Sequence, residues 1–167
     1  MASNSISVAQ LINLMLVNKI EVPDFGLTFD PVDQFRVLHT RGYLPREMQG
    51  TDVHSFVVCN SRTWVDVDRD RCASRYEYST YVVVMKYLET YSDSSQIQPA
   101  SFDELDSITS YAEWVQDIIG KTRSHRDSVR GSVQITDLET LAIPSQEEMQ
   151  GGLFIAEFEL TSRYSSV

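Results

Sequence analysis

Histidine and cysteine are scarce in this chain, and their scarcity excludes most nucleophilic and metal chemistry at the outset. Of 167 residues three are histidine and two are cysteine. His39, His54 and His125 stand in no recognisable frame with Cys59, Cys72 or a serine elbow, and nucleophilic catalysis needs a base and a nucleophile within hydrogen-bond reach. A lone histidine in a strand or loop is more often structural. Glycine is also sparse, and the close-set pair Gly151 and Gly152 precedes a strand, so it builds no phosphate cradle at a helix amino terminus. The paired carboxylates Glu147-Glu148 and Glu157/Glu159 fall on a turn and on an alternating strand, where solvated charged faces explain them. No catalytic motif results, and the expectation is a protein that is not an enzyme and takes no cofactor.

Positive charge is the next shortage. Lys plus Arg number 14 against 24 Asp plus Glu, a formal charge of -10. That argues against a partner held by many phosphate contacts, because such proteins concentrate cations to displace counterions. Cys59 and Cys72 sit on opposite limbs of an expected hairpin; a turn near Asp68 to Arg71 leaves Cys59 too far along the ladder to meet Cys72, so two free thiols are expected. No apolar run approaches the roughly 18 residues of a membrane span, and the first ten residues, MASNSISVAQ, lack the basic start and apolar core of a signal peptide. The expectation is a soluble, intracellular chain with no membrane partner. Neither a low-complexity linker nor a solenoid-period repeat occurs, and 42% apolar residues can fill the core of one domain spanning 1–167.

What is present is a clear order of elements. Val8, Leu11, Ile12, Met15 and Leu16 recur at helical spacing, predicting an amphipathic helix that ends before Pro23, with Ser5 or Ser7 as its cap and Asn13 and Asn18 facing away. Leu27 to Leu38 alternates weakly and is broken by Pro31, which points to an edge or two short strands. A polar loop with Arg41, Tyr43 and Arg46 comes next. Val53 to Glu89 reads as a long β hairpin whose return limb alternates: Tyr76, Tyr78, Thr80, Val82 and Val84 on one face, Glu77, Ser79, Tyr81, Val83, Met85 and Tyr87 on the other. Its second half is apolar on both faces, as expected of a sheet's central strand.

The segment TYSDSSQIQPA reads as a loop. Ser101 and Glu104 form a capping box for a helix carrying Leu105, Ile108, Ala112, Val115, Ile118 and Ile119, with Gly120 placed as its left-handed cap. KTRSHRDSVRG, Lys121 to Gly131, reads as a charged loop and the main basic patch. VQITDLETLAIP offers a short strand and SQEEMQGG a turn. Leu153 to Tyr164 then alternates, with Phe154, Ala156, Phe158, Leu160 and Tyr164 inward and Glu157, Glu159, Thr161 and Arg163 outward. The expected fold is α+β: a small, mostly antiparallel β-sheet with an N-terminal helix and a central helix packed on it.

One pattern imitates a metal site. Asp66, Asp68, Asp70, Ser74 and Glu77 fall at positions 1, 3, 5, 9 and 12 of a calcium loop. The sixth position, where the loop must bend sharply, holds Arg71 in place of glycine; Arg69 and Arg71 neutralise the acids, and the flanks alternate like strands. A solvated hairpin turn is expected, with no metal.

The segments VAQLINLMLV, TFDPVDQFRVL, VHSFVV, RTWVDVDRDRCASRYEYSTYVVVMKY, DELDSITSYAEWVQDII and LFIAEFELTSRY, taken in order, resemble those of phage tail terminator proteins. These are minor tail or neck proteins of the head-to-tail joining region. The likeness is one of element order and residue character over most of the chain; the acidic turn DVDRDR departs from a family pattern richer in Arg and Ser. The resemblance implies a viral structural protein of the virion neck, assembled in the host cytoplasm as a ring-shaped homo-oligomer, usually a hexamer. Such a ring docks on the tail tube protein, stops its polymerisation and meets the head connector or adaptor protein. Viral DNA crosses the lumen without specific binding. Candidate interface residues are Arg41, Tyr43, Arg46, Arg69, Arg71, Arg123, Arg126 and Arg130, and candidate lumen residues are Glu157 and Glu159. Three alternatives stay open. One is a head-completion or tail-tube protein of the same virion, the second a monomeric metal- or partner-binding adaptor, and the third a small enzyme with an unrecognised carboxylate site.

Overall fold

The computed structural model describes residues 4–17, 23–30, 36–38, 52–65, 75–88, 91–93, 96–98, 102–142 and 152–166. The apolar stripe near the start forms helix α1, Asn4–Val17, and all five of its spaced residues are buried. Two short strands come after it, β1 at Phe29–Asp30 and β2 at Arg36–Leu38. Two thirteen-residue strands form the long hairpin: β3, Val53–Val65, and β4, Arg75–Tyr87. A separate two-stranded ribbon consists of β5, Tyr91–Asp93, and β6, Gln96–Gln98. Helix α2 spans Phe102–Lys121. The chain then makes β7, Ser124–Asp127, β8, Gly131–Ala142, and β9, Leu153–Ser165.

The main sheet has the order β1-β3-β4-β9-β8-β7, with β2 also on β3. β1 and β2 run parallel to β3 and divide its edge between them, as a proline-broken stretch predicts. Every other pairing in this sheet is antiparallel. β4 lies at the centre, flanked by β3 and β9, with Val82 opposite Val57 on one side and Phe158 on the other. The architecture is therefore α+β, with both helices packed on one face of a mostly antiparallel sheet.

That covered face holds the main core. Tyr78, Val82 and Val84 of β4 and Phe154, Ala156, Phe158 and Leu160 of β9 meet the α1 stripe and Ile108, Val115 and Ile119 of α2. Complete burial of each aliphatic side chain contributes about 1.5–3 kcal/mol, so this layer dominates the stability. The opposite face has no helix among the described residues, yet it carries a smaller buried cluster of Phe56, Val83 and Met85, flanked by Tyr81, Leu153 and Ile155. Four rings, Phe25, Phe29, Tyr111 and Trp114, tie residues 23–30 to α2, with Phe29 and Tyr111 centred 4.9 Å apart. The Tyr111 hydroxyl lies 3.3 Å from Ser55 Oγ, which gives this buried polar group a partner.

Several expectations need correction. α1 begins at Asn4, so Ser5 and Ser7 lie inside the helix and neither is its cap. The Asn13 Oδ1 atom is buried without a hydrogen-bond partner, so Asn13 does not face away into solvent. α2 runs one residue past Gly120, with Thr122 N donating to Ile118 O at 2.8 Å, so Gly120 is not a left-handed stop. Ser101, the expected cap at the other end of α2, lies outside the described residues, as does Asn18. The segment read as a loop at 90–100 contains the β5–β6 pair, and that at 121–131 contains β7 and the turn into β8. Short polar strands have no apolar alternation to reveal them; backbone pairing alone makes them. The short strand expected near Val133 is part of the twelve-residue β8.

The turn between β7 and β8 is closed by Asp127, whose Oδ1 accepts from Val129 N at 2.9 Å and Arg130 N at 2.8 Å. These donors hold its carboxyl below the ordinary carboxylate range. Gly131 comes next with φ of 102°, and a Cβ there would stand 2.2 Å from the Ser165 carbonyl oxygen. Only glycine lets β8 pass β9 at that point.

Candidate functional site

Alternation along β7, β8 and β9 turns every second side chain onto the face that no helix covers. On β9 these are Glu157, Glu159, Thr161, Arg163 and Ser165; on β8, after a register shift between Ile135 and Asp137, they are Asp137 and Glu139. The result is a face with chemically different ends.

At one end Glu139 stands directly across from Glu159, and Asp137 across from Thr161. Like charges in directly opposed positions are destabilising. Glu159 accepts a hydrogen bond from Ser79 Oγ, whereas Glu139 is exposed and makes no side-chain hydrogen bond or ion pair among the described residues. The two expected lumen residues, Glu157 and Glu159, are both half-buried and both belong to this acidic end.

At the other end two cross-strand rows lie side by side. Arg163, Gln134 and Ser124 form one row, and Ser165, Ser132 and Arg126 the next. They line an open groove of about 780 Å³ that also takes in Tyr76, His125, Val133 and Tyr164, with no carboxylate among the described lining residues. A second hollow of about 550 Å³ adjoins it through Arg126, Ser132 and Ser165. Its one carboxylate, Asp127, is turned into its own hairpin. Arg163 Nε lies 3.5 Å from Glu77 Oε1 in a loose, partly exposed pair.

Of the candidate interface residues, the structure brings three near this end. Arg123 is exposed, and its carbonyl accepts from Ile135 N at 2.7 Å. Arg126 is exposed within the groove lining. Arg130 is committed internally: its Nε donates to Gln10 Oε1 of α1 at 3.1 Å, Nη1 lies 3.6 Å from Asp127 Oδ1, and its carbonyl accepts from the Tyr164 hydroxyl at 2.7 Å. It ties the hairpin to α1. Arg41, Tyr43, Arg46, Arg69 and Arg71 lie outside the described residues, as do Asp66, Asp68, Asp70, Ser74 and Cys72. Glu77, the last position of the calcium-like pattern, faces Arg163. Among the described residues no group of three or more His, Cys, Asp or Glu is placed to hold a metal ion, and no helix is long and apolar enough to cross a membrane.

One feature of the covered face is not foreseen from the sequence. Lys86 is buried at the end of β4 and its Nζ lies 2.6 Å from Glu104 Oε1 of α2. The available signal is a lysine inside an otherwise apolar run. Cys59 is a buried free thiol beside a register shift, and burial pushes its ionisation above the ordinary range, which keeps it unreactive. Tyr111 is raised in the same way, with Ser55 opposing the effect of burial.

No protein-family model matches the chain, and no curated protein matches it.

Proposed function

We propose that the chain is a structural protein of a phage neck, forming a ring that caps the tail tube, stops its polymerisation and joins the tail to the head connector. The observation that carries the reading is the arrangement of the resembling segments: an opening helix, a long hairpin and a second helix, with the terminal strand β9 returning to the centre of the sheet beside β4. Both helices cover one face, and the other is left with charged ends. A protein of this build offers surfaces rather than a catalytic centre.

Ring closure results from heterologous contacts whose rotation returns on itself, which leaves two different faces for tail and head. The net charge of -10 suits a channel for DNA, because carboxylates repel phosphates and let the duplex slide. In this reading the acidic end, with Glu157 and Glu159, faces the lumen. Exposed Arg123 serves the contact between copies, while Arg130 holds the hairpin to α1.

Electron microscopy of the purified protein, alone and mixed with its tail tube, tests the proposal. Rings seated only at tube ends are expected. Uniform stacking along the tube would assign a tube subunit instead, and tails of normal length in the protein's absence would overturn the reading.

A further inference from the structure

The groove at the cationic end is out of character with the chain that contains it. Acids outnumber bases 24 to 14 overall, yet its described lining holds two arginines, a histidine and three serines and no carboxylate, the nearest recorded one being Glu77 at 3.5 Å from Arg163 Nε. Its donors are also unspent. Arg126, Gln134, Ser124, Ser132 and Ser165 make no side-chain hydrogen bond or ion pair among the described residues, and the Arg163 contact with Glu77 is long and half-exposed. A solvated protein surface of this charge would ordinarily intersperse carboxylates among such groups.

The register fixes how these donors stand. Arg163 and Arg126 lie two strands and one row apart, which puts their Cα atoms about 12 Å from each other at ordinary strand spacings. Two extended arginine side chains can converge on one anion between them, with Gln134 and the serine hydroxyls beneath. Guanidinium forks match the oxygens of a phosphate group, and hydroxyl and amide donors complete its shell. The groove's volume falls within the roughly 300–1,000 Å³ of small-molecule sites.

The acidic end sets a limit on the ligand. Glu159 is four residues from Arg163 along β9, about 13 Å at strand rise, so a long polyanion lying across the face would meet carboxylates. We infer that the Arg126–Arg163 groove binds a phosphate group carried on a molecule of nucleotide size or on the end of a nucleic-acid strand. The inference does not depend on ring formation and concerns the isolated chain.

Calorimetric titration tests it with four probes: inorganic phosphate, a nucleoside monophosphate, the matching nucleoside, and a short 5′-phosphorylated single strand. Saturable binding of the phosphorylated probes is expected, weakening with salt. Arg126→Gln and Arg163→Gln should each lower that affinity at least tenfold, while Arg123→Gln, outside the lining, leaves it unchanged. A monophosphate that outbinds the strand identifies a free nucleotide as the source; the reverse ranking identifies a strand end. Unaltered thermal melting shows that the variants fold, and Ser132→Ala provides a milder probe in the same row. Absence of saturable binding, nucleoside binding as tight as the monophosphate, or indifference to both arginine changes would each overturn the inference and leave the ring proposal to its own test.

Discussion

The two faces of the sheet share the same strands, yet they obey different rules. On β9, Phe154, Ala156, Phe158 and Leu160 are buried under two helices, while Glu157, Glu159, Thr161 and Arg163 alternate with them on the face that no helix covers. The covered face pairs Lys86 with Glu104 and Tyr111 with Ser55, while Asn13 Oδ1 and Ser162 Oγ are buried there without a hydrogen-bond partner among the described residues. The free face carries Glu139 against Glu159 and an arginine groove with unspent donors. The opposed like charges and the unpaired arginine and hydroxyl donors lie on the face without a helix among the described residues, and departures of that kind are where a site is sought.

The sharpest contrast is between two ion pairs. Lys86 and Glu104 side chains are 6% and 13% exposed, whereas Arg163 and Glu77 are 47% and 27% exposed. Removing one partner of a buried pair leaves an uncompensated charge, so Lys86→Ala should cost about 3–5 kcal/mol. Arg163→Ala should cost under about 1 kcal/mol, because a solvated pair gains little. Urea denaturation of both variants measures the difference, and equal losses would abolish the distinction between the faces.

Ile108 sharpens the apolar side of the comparison. It is fully buried between α2 and the sheet, so Ile108→Ala should lose about 2–5 kcal/mol through transfer energy and the cavity left behind. Glu139→Ala, at an exposed position on the other face, should fall within about half a kcal/mol, as surface changes usually do. A loss at Ile108 below that value would mean that α2 does not seal the core.

Smaller, and dependent on pH, is the effect at Tyr111. Tyr111→Phe removes the hydroxyl beside Ser55 and should cost about 1–2 kcal/mol, since a buried group loses its partner. Burial raises the folded-state pKa of Tyr111. Its contribution is thus intact below the unfolded value near pH 10 and declines as pH rises through the folded one, because the unfolded chain releases its proton first. Denaturation midpoints measured from neutral pH upward should fall less steeply in Tyr111→Phe; an unchanged slope would place the hydroxyl in water.

The same contrast explains how far the sequence could be read. Elements with an apolar rhythm were legible: the α1 stripe, the two-sided apolar half of β4, the spacing of Ile108, Val115 and Ile119, and the strict alternation of β9. β7 was not, because Ser-His-Arg-Asp has no buried face of its own and is a strand only by pairing with β8. Nor was the arginine groove. Its residues come from four strands, with Tyr76, Ser124 and Arg163 far apart in the chain, and only the sheet register aligns them. The faint signal was polar residues two apart on three of them: 124 and 126, 132 and 134, 163 and 165. Glu104 reads locally as half of a capping box, and its pairing with Lys86 needs the helix laid on the sheet.

The smallest expected effect probes the free face itself. Glu139 is exposed and opposed to Glu159, which is held by Ser79. Glu139→Gln keeps the shape and removes one of two like charges, so it should stabilise the chain slightly, by about 0.2–0.5 kcal/mol, within the range of cross-strand pairs. Salt screens exposed charges over roughly 8–10 Å, so the gain should shrink as ionic strength rises. Ile108→Ala, whose cost comes from burial, should keep its full effect under the same conditions. If Glu139→Gln instead destabilised the chain at low salt, Glu139 would be satisfied by a group within its own molecule, and the acidic end would lose its claim to be a surface kept for something else.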